Sequence, residues 1–577
     1  PDPVDLAIVV VPAAAVADAL DECGRKGVKG VVVISAGFSE VGDEGSAMEA
    51  SIVTSARRRG MRLVGPNCMG LLNTDANISM DGQFGPTFPP RGNVARASQS
   101  GALGIAILEQ AAAMNIGIST FVSLGNGADV SPTDLLLYWE DDPASDVIVM
   151  YMESFGNPRR FGRLARRVGR KKPVVVVKSG RTSAGQRAAA SHTGSLASVD
   201  VAVDALFARA GVIRTNTLHE LFDVTELLAN QPLPAGRRVG VLTNAGGPAI
   251  LAADALEGFG LELPEFSPEL QAKIAERLPG MAAPNNPVDM IASADADNYR
   301  ACLNILLDSD EVDAVIVIYI PTAPEGAEEA LAAIHETVAA RETPKTTVGV
   351  FMGSSQAAEE ELGAHSKLAV YPYPEAAARS LAAAIEYREW REKPEGQYVR
   401  FADVDRAAGE TTVRAALRRL GKDGGWLDAV ETESMLAAYG IRTARTRTAH
   451  SEDQAVEVAA ELGGPVVLKV IAESALHKSD VGGIALDVQG EEAVRAAYRQ
   501  VMAAVDDATG ALVQTYVGEG HEVIVGMAED PLFGPLVVFG LGGIFVELMR
   551  DVAFRINPLS DVDAREMLSE VNSAELL

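Results

Sequence analysis

Asn93-Val-Ala-Arg-Ala-Ser-Gln-Ser-Gly-Ala-Leu-Gly104 reads as a short strand, a turn of small residues and the start of a helix. The same form returns at Arg238-Val-Gly-Val-Leu-Thr-Asn-Ala-Gly-Gly-Pro-Ala249. Downstream of the first copy stands Asp146-Val-Ile-Val-Met-Tyr-Met-Glu153, and downstream of the second Asp313-Ala-Val-Ile-Val-Ile-Tyr-Ile320. Pro173-Val-Val-Val-Val-Lys-Ser-Gly180 is then answered by Thr346-Thr-Val-Gly-Val-Phe-Met-Gly353. Landmarks repeating in one order predict two related doubly wound subdomains, 85–230 and 235–392. The copies differ where chemistry would sit: Glu153 has an apolar counterpart in Ile320, and Ser191-His-Thr-Gly194 follows only the first.

Outward from the repeat the same alternation holds. Continuous apolar runs such as Val31-Val-Val-Ile34 and Val174-Val-Val-Val177 are the mark of parallel strands buried on both faces. Ala-rich helices separate them, which makes α/β layers. Asp5-Leu-Ala-Ile-Val-Val-Val-Pro12 also reads as a buried strand, and a chain starting one strand into a domain suggests truncation before Pro1. A polar stretch, 393–425, reads as a linker with one short helix around Thr411–Leu420. Beyond it the pattern becomes α+β: a helix at Glu431–Tyr439, a strand at Pro465–Val470, and further strands near Ala511–Val517 and Glu522–Met527.

The 577 residues suggest roughly three to five domains. With 47% apolar, 22% charged and 5% aromatic residues, the composition is that of a globular protein. Fifty basic against 79 acidic residues give a net charge of −29, which argues against nucleic acid or an anionic membrane as partner. Three distant cysteines, Cys23, Cys68 and Cys302, fit neither a disulfide scaffold nor a cysteine zinc site. No apolar run reaches the roughly 18 residues of a membrane span. A soluble, cytoplasmic protein is expected.

Several residues invite chemistry. His192 lies among Ser, Thr and Gly on a loop that offers no apolar face to bury it, although an N-cap with an incidental exposed histidine fits equally well. The turns at Ser98–Gly101 and Asn244–Pro248 each open a helix after a strand, and free N–H groups there suit phosphate; packing alone also explains them. Glu153 ends its strand where open α/β sheets place ligands, and a carboxylate there orients an imidazole. Lys469, with the glycine-bearing loop 477–483, suits a nucleotide phosphate, though no Walker A sequence is present.

Taken together these segments resemble the NDP-forming acyl-CoA synthetases, of which ADP-forming acetate–CoA ligase is the best-known type, kin of succinyl-CoA synthetase. Gly65-Pro-Asn-Cys-Met-Gly70 resembles the family segment that closes its CoA-binding domain. Ser98-Gln-Ser-Gly-Ala-Leu-Gly104 resembles its first phosphate-binding helix start, Tyr151-Met-Glu-Ser154 the segment whose glutamate supports the phosphohistidine, and Ser191-His-Thr-Gly-Ser-Leu-Ala197 the phosphorylated loop. His477–Gly483, Val513-Gln-Thr-Tyr516 and Phe533-Gly-Pro…Gly540-Leu-Gly-Gly-Ile-Phe545 resemble its ATP-grasp domain. The implied fold is a truncated Rossmann-like CoA-binding domain (1–80), two flavodoxin-like, succinyl-CoA synthetase-like subdomains, and a partial α+β ATP-grasp domain (426–577).

The resemblance implies His192, Glu153 and His477 as catalytic residues. It implies phosphate binding by Ser100, Gly101, Asn244, Gly246 and Gly247; CoA binding by Pro12, Asn67 and Cys68; and ATP binding by Lys469, Gly482, Gly483 and Gln514. Lys178 and Arg181 add local positive charge. CoA, ATP or ADP and Mg²⁺ are the implied cofactors, a short-chain carboxylate and phosphate the other small-molecule partners, and a homo-oligomer the implied assembly. The acidic Mg²⁺-holding segment is expected beyond Leu577, so no metal ligand is named. The implied reaction joins acyl-CoA, ADP and phosphate to carboxylate, CoA and ATP through an acyl phosphate and a phosphohistidine. The alternative is a CoA-binding regulatory part of a protein-lysine acetyltransferase. An NAD(P) oxidoreductase fits poorly, because no G-x-G-x-x-G with a downstream acid occurs.

Overall fold

Valine runs form the sheets because a β-branched side chain suits a pleated surface covered on both sides. The computed structural model describes residues 3–182, 184, 200–278, 280, 282–322, 326–342, 344–353, 368–421, 424–472, 482–518, 520–543 and 551–577. The chain divides into two compact units, one of Pro1–Gly396 with Val525–Gly540 and Val552–Val571, the other of Gln397–Ile524, Leu541–Asp551 and Asn572–Leu577.

In the first unit, β1 (Leu6–Val9), β2 (Gly30–Val33) and β3 (Arg62–Val64) make a parallel sheet in that order. β1 was expected to be buried; it is an edge strand with only β2 beside it, and Ile8 is 44% exposed. The next sheet contains β4 (Gly70–Asn73), β5 (Met80–Gln83), β6 (Arg91–Ser98), β7 (Ile118–Ser123), β8 (Val147–Met152), β9 (Val174–Lys178) and β10 (Val212–Thr215), in the order β10-β9-β8-β6-β7-β4-β5. β6 to β10 run parallel, while β4 and β5 extend the sheet antiparallel at one edge. The third sheet takes β11 (Val239–Thr243), β12 (Val288–Asp289), β13 (Ala314–Tyr319), β14 (Thr346–Phe351) and β15 (Ala369–Tyr371) in the parallel order β12-β11-β13-β14-β15.

The repeat therefore runs deeper than its three sequence landmarks. Reading β7-β6-β8-β9-β10 beside β12-β11-β13-β14-β15 gives the same 2-1-3-4-5 order twice, the flavodoxin-like arrangement. One apolar core runs through both copies, joining Val94, Val147 and Phe222 to Val241, Ile316 and Tyr371. The helix Leu218–Asn230, at the end of the first copy, and the residue that ends it bond strands of the second: Val370 N–H donates to Glu226 Oε1 (2.9 Å) and Thr347 N–H to Oε1 of Gln231, the C-cap (2.9 Å). Asp223, on the same helix, receives Arg379 at 2.9 Å, and its backbone carbonyl accepts from Tyr371 Oη at 2.9 Å.

The second copy's closing helix, Pro374–Glu392, returns the contact. Tyr387 Oη donates to Gly169 O (2.7 Å), and Arg170 lies 4.7 Å over the Trp390 ring. Gly211, at φ +65°, leaves that indole its place: a Cβ there would stand 2.2 Å from the ring. Phe533, from the unit's C-terminal portion, stacks edge-on with Phe155 at 5.8 Å. That portion carries β20 (Val523–Asp530), β21 (Gly534–Leu541) and β22 (Val552–Ile556). In the second unit β16 (Thr446–Ala449), β17 (Val466–Ile471), β18 (Ile484–Val488) and β19 (Gly510–Thr515) form an antiparallel sheet ordered β16-β19-β17-β18.

One core residue breaks the pattern. Arg96, in the middle of β6, is 1% exposed, and among the described residues none of its guanidinium nitrogens finds a hydrogen-bond partner. Burial pushes it down to about 9, and the Phe222 ring, 4.5 Å from the guanidinium carbon, is the interaction it makes. A desolvated charge with only a ring to face costs more than an apolar side chain of similar length. Arg96→Met is therefore expected to raise the thermal midpoint, by about 1 kcal/mol or more of stability; a lowered midpoint would show the guanidinium to be compensated. Gly211→Ala is expected to cost about 2 kcal/mol or more through the displaced indole and the left-handed backbone, read in denaturant unfolding.

Candidate active site

In a 2-1-3-4-5 sheet the ligand crevice opens at the C-terminal ends of the first and third strands, where the connections diverge to opposite faces. Here those strands are β6 and β8. Their ends are joined by one side chain: the amide oxygen of Gln99 accepts the backbone N–H groups of Glu153 and Ser154 (2.8 Å for Ser154), and its nitrogen donates to Ser154 O at 3.0 Å. Gln99 N–H itself donates to Tyr151 O at 3.2 Å. The turn then closes through Ser98, whose Oγ donates to Ser100 O (2.6 Å) and accepts from Ser100 N–H (3.2 Å). Ser100 caps the helix Gly101–Ala113, its side chain accepting from Leu103 N–H.

The second copy repeats the strand-end bridge with a shorter amide. Asn244 Nδ2 donates to Ile320 O (2.7 Å), and its Oδ1 accepts Ile320 N–H (3.0 Å). Thr243 Oγ1 donates to Ala245 O and accepts from Ala245 N–H, both at 3.0 Å. The helix Gly246–Gly258 follows, with no side-chain cap on its first turn. The Asn244 side chain, in a turn read from sequence as a phosphate-binding helix start, is engaged as the strand-end bridge.

Glu153 is half-buried at the rim of the first crevice. Tyr151, two residues back on β8, shares its phenol between Glu153 and Ser179; burial, then the nearby carboxylate, raise its pKa. Lys178 ends β9 beside Met152 in register and is 6% exposed. His192 and His477 lie outside the described residues. The segment that carries His192 is bounded by described residues that are tied together: Ser179 N–H donates to Met152 O (3.0 Å), and Arg181 lies 3.7 Å from Asp200.

At the first sheet's C-terminal edge, Pro12 precedes the helix Ala13–Lys26 without a side-chain cap. Ser35 ties this edge together: its Oγ exchanges hydrogen bonds with the Val11 backbone, and its carbonyl accepts Asn67 N–H at 3.0 Å. Asn67, at φ +55°, also donates to Asn126 Oδ1 (3.3 Å). Pro12 and Asn67 thus flank one crevice. Cys68 turns inward, 4% exposed, its thiol donating to Val33 O and pushed by burial up to about 12. In the second unit, Lys469 Nζ donates to Gln514 Oε1 (2.8 Å), Gln514 Nε2 donates to Thr446 Oγ1 (2.8 Å), and Gly483 O accepts Val470 N–H (2.8 Å). Lys469, Gln514 and the end of the glycine loop therefore meet on one sheet, an arrangement that fits a nucleotide phosphate.

Among the described residues no three His, Cys, Asp or Glu side chains are grouped to hold a metal ion, and no helix is long and apolar enough to cross a membrane. A cavity of about 510 Å³ lies at the opposite end of β10, lined by Arg166, Arg170, Tyr387 and Trp390 among others, away from the strand ends that carry Glu153. Sequence reading had not singled out Gln99, Ser35 or Tyr151. Gln99 did carry a signal, a long amide between two serines opposite Asn244 in the aligned repeat.

Four family models match: a CoA binding domain over residues 1–74, a succinyl-CoA ligase like flavodoxin domain over 91–228, a ligase-CoA domain over 239–392 and an ATP-grasp domain over 418–577. The chain is 40% identical to acetate–CoA ligase [ADP-forming] I of Archaeoglobus fulgidus, the alignment spanning 100% of this chain and 83% of that protein. It is 34% identical to 4-hydroxybutyrate–CoA ligase [ADP-forming] of Nitrosopumilus maritimus, with the same coverage. Among solved structures it resembles the Ca. Korarchaeum cryptofilum dinucleotide forming acetyl-coenzyme A synthetase 1 in complex with phosphate and ADP. That match has a TM-score of 0.64 and 37% identity, covering 68% of this chain and 84% of that one.

Gln99→Leu leaves the N–H groups of Glu153 and Ser154 without their acceptor and is expected to cost about 1–3 kcal/mol. Gln99→Glu keeps an acceptor for them and loses less. Equal losses in the two variants, measured by denaturant unfolding, would contradict the bridge.

Proposed function

The chain belongs to the NDP-forming acyl-CoA synthetases, and from that premise we propose how its residues divide the work of an ADP-forming acid–thiol ligase. The reaction interconverts acyl-CoA, ADP and phosphate with carboxylate, CoA and ATP. CoA is held at the first sheet, with Pro12 and Asn67 at its edge and Cys68 packing beneath. Phosphate attacks the acyl-CoA carbonyl, releasing CoA and giving an acyl phosphate at the strand ends. The helix starts at Ser100–Gly101 and Gly246–Gly247 face the oxyanions, preorganised so that no dipole has to turn as charge develops.

His192 then attacks phosphorus; the P–O bond to the acyl group breaks, the carboxylate leaves, and the phosphoryl group rides on the imidazole. Glu153 accepts the other ring N–H, fixes the tautomer and offsets the positive ring. The phosphoryl group passes to ADP, held by Lys469, Gln514 and Gly482–Gly483, with His477 as a second carrier. Mg²⁺ supplies charge neutralisation on the nucleotide; no side chain is assigned to it. A covalent carrier suits this division, since acyl and nucleotide sites then share one phosphoryl group without sharing a pocket.

The observation that carries the reading is Glu153, its backbone N–H held by Gln99, at the switch point beside a capped helix start. The relatives named above are ligases aligned along the whole of this chain, so the reading as a regulatory part of an acetyltransferase is not favoured. We place the enzyme in the cytoplasm as a homo-oligomer acting on a short-chain acid.

The test is acid-labile label after incubation with acetyl-CoA and [³²P]phosphate. His192 should carry it, His192→Ala should carry none, and Glu153→Gln should carry at least tenfold less. His477→Ala should keep the label on His192 while forming no ATP. Label that survives in His192→Ala would refute the assignment.

A further inference from the structure

The loop Leu124-Gly-Asn-Gly-Ala-Asp-Val130 follows β7 and seals the first sheet to the next. Its alternate N–H groups lie along β3 and the turn after it: Val130 N–H donates to Leu63 O (3.0 Å), Ala128 N–H to Gly65 O (3.2 Å) and Asn126 N–H to Pro66 O (3.0 Å). Gly125, at φ +55°, lets the two backbones meet, since a Cβ there would stand 2.2 Å from Pro66 O. At the other end of the loop Leu124 N–H donates to Ser98 O at 2.7 Å. One short segment thus spans from the edge at Asn67 to the strand-end turn at Ser98.

Backbone bonds hold this seam, yet the Asn126 side chain is engaged at both ends. Its Nδ2 stands 2.7 Å from Glu40 Oε2, 2.8 Å from Glu49 Oε2 and 3.0 Å from Ser39 Oγ. Two carboxylate oxygens can face only the N–H end of an amide, so the group cannot turn over. The carboxylates are fixed in turn: Glu40 Oε1 accepts Phe38 N–H (3.1 Å), and Glu49 Oε2 accepts the Ser39 hydroxyl (2.8 Å). Asn126 Oδ1 is thereby directed at Asn67 Nδ2, 3.3 Å away. Among the described residues, Asn126 is the one that bonds the Asn67 side chain.

We propose that Asn126 is a positioning residue for CoA: its amide, oriented by Glu40 and Glu49, holds the Asn67 side chain in the pose that meets the ligand. This rests on the reading of Asn67 as part of the CoA edge. A side chain held beforehand loses less rotamer freedom when its ligand arrives, which strengthens binding without a new contact. Asn126 itself touches neither CoA nor a reacting atom and acts through Asn67.

The experiment is calorimetric titration of the full chain with CoA, in a double-mutant cycle of wild type, Asn67→Ala, Asn126→Ala and the double variant. Each single variant should weaken CoA about tenfold, and the double variant should bind within about twofold of Asn67→Ala, because Asn126 then has nothing left to hold. Asn126→Asp keeps an acceptor for Asn67 but turns a third carboxylate toward Glu40 and Glu49, and should weaken CoA likewise. Losses that multiply in the double variant would show a general loosening of the seam and overturn the proposal. Wild-type affinity in Asn126→Asp, with Asn67→Ala weakened, would overturn it even if Asn126→Ala failed to fold. Wild-type affinity in Asn67→Ala would instead remove the reading of Asn67, and this one with it.

Discussion

A parallel strand that feeds a helix must turn its last backbone groups somewhere, and at the β6–β8 switch point no third strand is available to receive them. The amide of Gln99 takes that place. It offers one oxygen to two N–H groups of the neighbouring strand end and returns one N–H to a carbonyl, as a further strand residue would. The bridge fixes the Glu153 backbone, and the Tyr151 phenol meets its carboxylate. Asn244 performs the same task against Ile320 in the second copy, with one methylene less. The crevice stays open because a side chain, and not a strand, closes the hydrogen-bond account.

From that constraint the asymmetry of the duplicated scaffold follows. Both copies keep the bridge, the Ser or Thr turn and the uncrowded helix start, since these are what a strand-to-helix turn at a switch point requires. The first adds Glu153, the Tyr151 phenol and the buried Lys178 around it, whereas the second sets the Asp289 carboxylate beside Gly246 and the Tyr299 phenol on Ile318 O. Duplication supplies two helix starts at strand ends; divergence surrounds them with different side chains. The common core through Phe222, Ile316 and Tyr371, with the Trp390 staple behind Gly211, holds the copies together.

The α/β class and the repeat were legible in the sequence because both depend on local pattern: valine runs, small-residue turns and their order. The outer strands β7, β10, β12 and β15 were not, being short or mixed and defined by their neighbours. Asn244 was read as part of a phosphate-binding helix start; that its side-chain amide bridges to Ile320 is not something a residue type reveals. Arg96 sits in the very stretch that decides the fold, yet nothing in Val-Ala-Arg-Ala says that the arginine points into the core; alternation alone left it free to be a solvent-facing residue. Asp5–Pro12 was read as buried because apolar composition does not distinguish an edge strand from a central one. Lys178 was legible as a charge, but its seclusion came from Phe155 and the helix Asp200–Ala210, which only the fold brings near.

The account rests on the strand ends of β6 and β8 being an anion site. Diffraction from crystals soaked in tungstate, a heavy analogue of phosphate, tests this most directly. The account predicts anomalous density at the start of the helix Gly101–Ala113, facing Glu153 and reduced by competing phosphate. Density that binds elsewhere and leaves the Ser100–Gly101 turn bare, or that phosphate does not displace, would contradict it.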